Sequence, residues 1–307
     1  MLNNQSEMAV ALFEELEFEG MKPDSATWNS MIRGFSQLGK GFDAFKYFEK
    51  MQSAGVEPSL KCITSLLPAC SVLSALKQGK EIHGLAIRSG ISNEEFMATA
   101  FIDMYMKCGY SSCARKIFDQ FKSKPDDPAF WNAMISGYGR NVENESAFEI
   151  VDLMREEKVK PNSATFVGVL SSCSHTGQVD RGLQVFRMMC KDCDLSQNLE
   201  HFSCIVDLLG RCGKLEEAKE LIQEMPDPPA TVFTSLIGAC RYHLNCELGE
   251  EMAMKLSELE PENPAPFVVL SNIYAAVGRW GDVERIRRMI DDRGLRKYPG
   301  FSSIAVT

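Results

Sequence analysis

The chain has 307 residues, of which 45% are hydrophobic and 24% are charged, a composition typical of a globular protein. Its formal net charge of −9 disfavours nucleic-acid binding through bulk positive charge. The longest apolar runs are only a few residues, which excludes a membrane-spanning helix, and no long segment is both highly charged and poor in apolar residues, which excludes extended disorder.

A helical pattern recurs along the whole chain, in which an apolar residue is followed by others three, four and seven positions later. In chain order it starts at Trp28, Ile63, Ala98, Trp131, Phe166, Phe202, Phe233 and Phe267. This spacing is one face of an α-helix. Successive starts lie 31 to 36 residues apart, a period typical of tandem helical hairpins.

Each period also contains a second amphipathic stretch, such as residues 43–54. Glycine is favoured in the turn between the two helices, because a helix often ends with a left-handed residue. We expect turn glycines at Gly39, Gly79, Gly109, Gly177, Gly213 and Gly278, and close helix approach at Ala44, Ala114, Ala147 and Ala218. The predicted fold class is all-α, an α-solenoid (superhelix) of tandem helix-turn-helix repeats with a concave groove.

The beginning of the chain predicts a second helix that lacks its first. Residues 7–19 precede the complete repeats, and their apolar face is expected to have no partner within the chain. That face comprises Val10, Leu12, Phe13 and Leu16. The pattern therefore indicates either a truncated chain or a face covered by something else. Residues 1–7 show no signal- or transit-peptide pattern.

Longer correspondences show that the repeats alternate in type. Residues 22–27 (Lys-Pro-Asp-Ser-Ala-Thr) match residues 160–165 (Lys-Pro-Asn-Ser-Ala-Thr), and Trp28-Asn29 matches Trp131-Asn132. Together with the segments at 238–241, 259–264, 269–276 and 298–302, these residues resemble plant pentatricopeptide repeat proteins of the PLS subclass. The resemblance implies a partial repeat at 1–24, followed by P 25–59, L 60–94, S 95–127, P 128–162, L 163–198 and S 199–229. It further implies two E motifs at 230–264 and 265–297, the start of a following segment at 298–307, and no deaminase domain of the DYW type.

No catalytic constellation stands out. A zinc deaminase needs His-x-Glu and a separate Cys-x-x-Cys, and none of the four histidines has Glu two residues later. One Cys-x-x-Cys runs from Cys190 to Cys193, and we interpret it as ordinary helix or loop thiols, because a structural zinc site needs four ligands. We therefore expect no enzymatic activity, no cofactor and no bound metal, with a metal or redox role for this pair as the alternative.

The resemblance assigns RNA readout to two residues of each repeat, the fifth and the last, with one base per repeat. The implied pairs are Asn29 with Ser59, Thr64 with Glu94, Thr99 with Asp127, Asn132 with Asn162, Val167 with Asn198, and Ser203 with Pro229. The family code makes the first pair prefer cytosine, the third guanine and the fourth a pyrimidine. With the protein N-terminus at the RNA 5′ end, the implied register is cytosine, any, guanine, pyrimidine, any, unknown.

The chemistry of these side chains allows readout and also allows a simpler role. An amide offers a donor and an acceptor to a base edge, whereas a carboxylate offers acceptors only. Asn and Thr near a helix start also serve as caps or exposed polar residues. The second residue of each repeat is expected to flank the base with a small or apolar side chain. Such side chains occupy it at Ala26, Phe96, Ala129 and Ala164, and charged ones occupy it at Lys61 and Glu200.

The E-type segments add a prediction about partners. Residues 230–264 are acidic, whereas residues 265–300 carry seven basic and four acidic side chains. In the family such segments resemble protein-docking repeats, although an ordinary capping helix would have the same charge.

The leading interpretation is a sequence-specific single-stranded RNA-binding protein of an organelle. It would mark a cytidine for C-to-U editing, with the deaminase supplied in trans and editing partner proteins bound through the E motifs. The alternatives are a factor for RNA stability or splicing, and a protein scaffold of tetratricopeptide type that binds no RNA. Family habit favours the mitochondrion over the chloroplast, and neither a membrane nor a small-molecule substrate is expected.

Overall fold

The structure is a computed structural model that describes residues 2–91, 94–121, 123–192 and 198–295. Within these ranges the chain forms seventeen α-helices and no β-strand. The helices are α1 (Leu2–Phe18), α2 (Ser25–Gln37), α3 (Gly41–Ser53), α4 (Leu60–Val72), α5 (Leu76–Arg88), α6 (Glu95–Lys107), α7 (Ser111–Gln120), α8 (Pro128–Arg140), α9 (Asn144–Glu156), α10 (Ser163–Thr176), α11 (Val179–Asp192), α12 (Leu199–Arg211), α13 (Leu215–Gln223), α14 (Ala230–His243), α15 (Cys246–Leu259), α16 (Ala265–Ala276) and α17 (Trp280–Asp292). None of the described helices combines the length and the apolar character that crossing a bilayer requires.

The helices pack as successive hairpins in two compact units, Met1–Thr165 and Phe166–Thr307. In the first unit, α2, α4, α6 and α8 pack one against the next, and α3, α5 and α7 each pack against the helices on either side of them in the chain. In the second unit, α12, α14 and α16 form the corresponding row, with α13 and α15 packed between them. This arrangement confirms the predicted all-α helical-repeat fold.

The core of each unit is formed by the predicted apolar face. Trp28 and Trp131 are 2% and 0% exposed, and the small residues Ala44, Ala114, Ala147 and Ala218 are fully buried at the helix crossings. Phe202 is only half-buried, because the neighbouring His201 takes the buried position. The ring of Phe202 packs edge-on against the ring of Phe186, with centroids 5.3 Å apart.

The prediction for Gly79 is wrong, while the other five turn glycines adopt positive φ. Gly79 lies inside α5, where an added Cβ would meet the Sδ atom of Met104 at 2.6 Å. It therefore corresponds to Ala44, 35 residues earlier, as the small residue at a helix crossing. Ser74 occupies the left-handed turn position instead, with φ 50°.

The first helix has a partner within the chain, contrary to the expectation for its apolar face. Phe13 is 3% exposed and contacts Trp28 edge-on at 4.9 Å and Tyr47 at 5.3 Å. Val10 and Leu16 are half-buried, whereas Leu12 remains 60% exposed. The expectation fails because α1 packs against α2, so that Phe13 completes the core around Trp28.

A valine in a left-handed turn offers a test of local strain. Val142 has φ 62° and is 60% exposed, so its side chain contributes little packing to offset a conformation that β-branched residues disfavour. We expect Val142→Gly to raise the free energy of unfolding by about 1 kcal/mol. Gly39, at the corresponding turn with φ 72°, is the control, because Gly39→Val should lower stability by a similar amount. Urea unfolding followed by circular dichroism measures both, and a loss of stability in Val142→Gly would contradict the prediction.

Candidate nucleic-acid interface

The predicted reader positions are placed by helix starts. The first reader of each pair lies in the opening turns of a first helix, and the second lies at or next to the N-cap of the first helix of the next repeat. Ser59, Asp127 and Asn198 are N-caps whose side chains accept backbone N–H groups at the starts of α4, α8 and α12. The capping interpretation therefore holds for these residues.

In the structure, a side-chain hydrogen bond links the two residues of the first predicted pair. The Nδ2 atom of Asn29 donates to the Oγ atom of Ser59 at 3.1 Å, and both residues are half-buried. The same Oγ atom accepts the Cys62 N–H at 3.2 Å. The amide of Asn29 is thereby held beside the start of the next first helix.

The fourth pair is joined more extensively. The Nδ2 atom of Asn132 donates to the Oδ1 atom of Asn162 at 3.1 Å. A residue that the sequence did not single out, Thr165, donates from its Oγ1 atom to the Oδ1 atom of Asn132 at 2.7 Å. Asn162 and Thr165 also bond reciprocally through their side chains and backbone N–H groups, at 3.0 and 3.1 Å. This reciprocal Asn-x-x-Thr bonding is a capping box, a sequence signal by which Thr165 could have been found.

Three hydroxyl readers bond to their own helices. Thr64, Thr99 and Ser203 donate to the carbonyls of Lys61, Glu95 and Leu199 at 3.1, 2.9 and 2.7 Å. Their predicted partners Glu94 and Asp127 are exposed, and Pro229 stands at the N-cap of α14. The hydroxyl oxygens keep acceptor capacity while their protons are used within the helix.

The fifth pair consists of Val167 and Asn198, and no side-chain hydrogen bond links the two residues. Val167 offers no side-chain hydrogen-bonding group. Asn198 forms a capping box with His201, whose Nδ1 atom accepts the Asn198 N–H at 3.2 Å. His201 is fully buried. The histidine at this position therefore supports the cap of α12.

The residues predicted to flank the bases lie at the surface. Ala26, Ala129 and Ala164 are exposed, and Phe96 is 65% exposed, an unusual position for a large aromatic ring. Lys61 and Glu200, which do not fit the expected small or apolar type, are exposed as well.

The second unit contains a polar depression with basic and aromatic walls, which sequence reasoning missed. It has a volume of about 610 Å³ and is lined by side chains of α10, α12 and α14, among them His175, Arg211, Arg241 and Tyr242. Arg211 is paired with Asp207 at 2.8 Å. Tyr242 is 81% exposed, and its ring contacts His243 edge-on at 5.1 Å.

Two arginines of the basic C-terminal segment, Arg279 and Arg285, form ion pairs with nearby carboxylates. Arg279 pairs with Asp282 at 2.7 Å, and Arg285 pairs with Glu250 at 2.8 Å and with Asp282 at 3.1 Å. Tyr274 is buried and donates to Glu250, and burial followed by this hydrogen bond raises the pKa of Tyr274 to about 12. The Arg285–Glu250 and Tyr274–Glu250 contacts join α15, α16 and α17. Arg296 and Lys297 lie outside the described residues.

The buried thiols Cys62, Cys70 and Cys240 are poorly suited to redox chemistry or metal binding. Burial raises the pKa of Cys62, Cys70 and Cys240 to about 12, so each stays protonated at neutral pH. In the part of the chain that the structure describes, no three His, Cys, Asp or Glu residues form a group that could hold a metal ion. Cys193 and the segment 298–302 lie outside the described residues.

Comparisons with known proteins identify the repeats. Residues 23–71 and 126–175 match the PPR repeat family, residues 96–125, 164–193 and 200–227 match the PPR repeat, and residues 243–305 match the E motif. The chain is 60% identical over 302 residues to pentatricopeptide repeat-containing protein At2g02750 of Arabidopsis thaliana, a match that covers 98% of this chain and 49% of that protein. It is 39% identical over 303 residues to At1g08070, chloroplastic, from the same plant, covering 98% of this chain and 40% of that protein.

The fold agrees with that of a solved repeat protein. The crystal structure of the pentatricopeptide repeat protein PPR10, known from maize, in complex with an 18-nt psaJ RNA element has a TM-score of 0.70 and 17% identity to this chain. The likeness covers 96% of this chain and 44% of that chain. This chain spans half or less of the length of these relatives. Its helical hairpins, its matched repeats and these relatives show that the chain belongs to the pentatricopeptide repeat family and carries an E motif.

Proposed function

We propose that this chain binds single-stranded RNA in a plant organelle and marks a cytidine for C-to-U editing. The observation that carries the proposal is the joining of the Asn29–Ser59 and Asn132–Asn162 pairs at corresponding helix starts. Each joined pair holds an amide at the surface with a donor and an acceptor to offer to a base. The complex of PPR10 with RNA and the match to the E motif support the choice of ligand and of process.

The six repeats at 25–229 would read one base each, with the protein N-terminus at the RNA 5′ end. The proposed register is cytosine, any, guanine, pyrimidine, any, unknown. If each legible pair contributes about 1–3 kcal/mol of discrimination, as good bidentate base contacts do, three pairs give modest selectivity. The acidic chain adds little non-specific affinity.

The chemistry of editing would come from a second protein. In this proposal the chain selects the site, the deaminase acts in trans, and the E motifs at 230–264 and 265–297 bind editing partner proteins. The relatives include proteins named as chloroplastic and as mitochondrial, which supports an organelle as the location. We assign the mitochondrion first and the chloroplast as the alternative.

Selection from a random RNA pool tests the proposal. The purified chain should enrich the motif cytosine-any-guanine-pyrimidine, because the three legible pairs fall in that order. Enrichment of the motif in the opposite polarity would overturn the register. A folded, helical sample that enriches no motif would overturn RNA recognition and favour a protein scaffold. Cytidines a few bases 3′ of the motif in organellar transcripts then become candidate sites, and loss of their editing in plants lacking the gene separates editing from RNA stability or splicing.

The depression in the second unit is expected to add RNA affinity without base selectivity. Aromatic stacking is worth about 1–3 kcal/mol per base and tolerates any sequence. We therefore expect Tyr242→Ala to weaken binding of the selected RNA by about fivefold or more while leaving the enriched motif unchanged. Tyr110→Ala is the matched control, because Tyr110 is 44% exposed but lies in the turn between α6 and α7. Filter binding measures the RNA affinity of both variants. Equal affinities of the two variants would show that the depression does not contribute to RNA binding.

A further inference from the structure

Thr165 is a buried polar residue that contacts a reader pair from outside it. It is 1% exposed and lies in the first turn of α10. Its Oγ1 atom is 2.7 Å from the Oδ1 atom of Asn132 and 3.1 Å from the Oδ1 atom of Asn162. The two-residue readout of the proposed function does not include this side chain.

The hydrogen bonds among these three residues give the Asn162 Oδ1 atom, the Thr165 hydroxyl and the Asn132 amide complementary roles. The Asn162 Oδ1 atom accepts the Thr165 N–H and one Nδ2–H of Asn132, which fills both of its lone pairs. The Thr165 hydroxyl oxygen accepts the Asn162 N–H, and its proton goes to the nearer acceptor, the Asn132 Oδ1 atom. Each of the three side chains therefore acts only as a donor or only as an acceptor toward each of the other two residues.

This arrangement fixes the orientation of the Asn132 amide. Rotating the amide by 180° would bring its oxygen against the Asn162 Oδ1 atom, which the Thr165 backbone N–H keeps as an acceptor. It would also leave the Thr165 hydroxyl proton only the more distant Asn162 Oδ1 atom, at 3.1 Å, as its acceptor. In the observed orientation, Asn132 keeps one N–H and one oxygen lone pair for an RNA base, in a fixed order along the base edge.

The first repeat lacks this constraint. The residue that corresponds to Thr165 is Cys62, which is fully buried and whose Sγ atom contacts the Sδ atom of Met51 at 3.9 Å. The Ser59 hydroxyl lies 3.1 Å from the Nδ2 atom and 3.4 Å from the Oδ1 atom of Asn29, and it can accept from one or donate to the other. The Nδ2 atom of Asn29 also lies 3.4 Å from the Oγ atom of Ser25, a hydroxyl that can likewise accept or donate. Asn29 is therefore tethered by two hydroxyls without a fixed amide orientation.

We propose that Thr165 is a positioning residue that orients the reader Asn132 and thereby sets base selectivity at the fourth repeat. This inference rests on the proposed RNA binding. It extends readout at this position from two residues to three, with the third supplied by the following repeat. It also predicts that Asn29 and Asn132, although identical in type, discriminate to different degrees.

Binding of four RNAs that differ only at the fourth position tests the inference. Wild type is expected to prefer a pyrimidine there. Thr165→Val keeps the shape and burial of the side chain but removes the hydroxyl, so the ratio of pyrimidine to purine affinity should fall at least fivefold. Thr165→Ser keeps the hydroxyl and should stay within twofold of wild type. Selectivity for cytosine at the first position should be unchanged in both variants.

A gain-of-function variant keeps the test decisive if Thr165→Val unfolds. Cys62→Thr places a hydroxyl at the corresponding site, with the methyl group replacing the sulfur against Met51. It should raise selectivity at the first position at least twofold, whereas Cys62→Val, which adds no hydroxyl, should not.

The outcomes separate the inference from the function on which it rests. Unchanged fourth-position selectivity in folded Thr165→Val, or unchanged first-position selectivity in Cys62→Thr, would overturn the role of the third residue while RNA binding stands. Absence of any base preference in wild type would overturn the proposed function itself. Melting curves of each variant establish that the comparison is made on folded protein.

Discussion

Replacing Gly137 with alanine is expected to lower the free energy of unfolding by about 2 kcal/mol, the middle of the range for overpacked cores. Gly137 lies inside α8 and is buried. An added Cβ would lie 2.3 Å from the Cγ atom and 2.6 Å from the Cβ atom of Met106 in α6. These atoms are close to the Met106 backbone, so rotation about the outer side-chain bonds cannot relieve the overlap, and the two helices must separate.

Gly34 provides a matched control for this prediction. It lies at the corresponding position of α2, and an added Cβ would meet no atom within 4 Å. Gly34→Ala should therefore raise stability by up to about 1 kcal/mol, because alanine favours helix more than glycine does. Urea unfolding of the two variants measures the difference, and equal effects of the two substitutions would show that the α6–α8 contact is not tight.

Converting the fourth reader pair into the third is expected to change its base preference from pyrimidine to guanine. The double substitution Asn132→Thr with Asn162→Asp reproduces the Thr99–Asp127 pair. Aspartate can keep the helix cap, as Asp127 does by accepting the Ala129 N–H at 2.9 Å. The affinity ratio of guanine to pyrimidine at the fourth position should rise tenfold or more, since bidentate base contacts discriminate by about 1–3 kcal/mol.

The same protein contains the control for this exchange. The Asn29–Ser59 pair is untouched, so cytosine should remain preferred at the first position. The single variant Asn162→Asp should keep the pyrimidine preference and gain none for guanine, because aspartate still offers an acceptor to the Asn132 amide and Asn132 remains the first reader. Competition binding with RNAs that vary at one position measures each ratio. A pyrimidine preference that survives the double substitution would show that these two residues do not read the fourth base.

Much of the architecture could be predicted from local pattern. The spacing of Trp28, Met31, Ile32 and Phe35 is repeated along the chain, and each such set can be buried only on one face of a helix. The error at Gly79 arose because a glycine near a predicted helix start resembles a turn residue. Only the packing of Met104 against α5 shows that this glycine is needed for close approach.

The candidate site was predicted less completely, for a physical reason. The types and order of the proposed reader residues are visible in the sequence, since one such pair occurs in each repeat. Which pairs make contact is not visible, because Asn132, Asn162 and Thr165 lie in different helices or helix caps. Their hydrogen bonds depend on how the start of α10 packs beside α8 within the first unit.

The sequence by itself determined the all-α class of fold and the presence of repeats that match the family, because these depend on periodicity and on residue type. Only the tertiary structure decided that Phe13 joins the core, that Arg285 pairs with Glu250, and that Thr165 bonds to Asn132. Such features arise when helices distant in sequence come within bonding distance, and contact at that range follows from packing geometry, which a linear pattern does not contain.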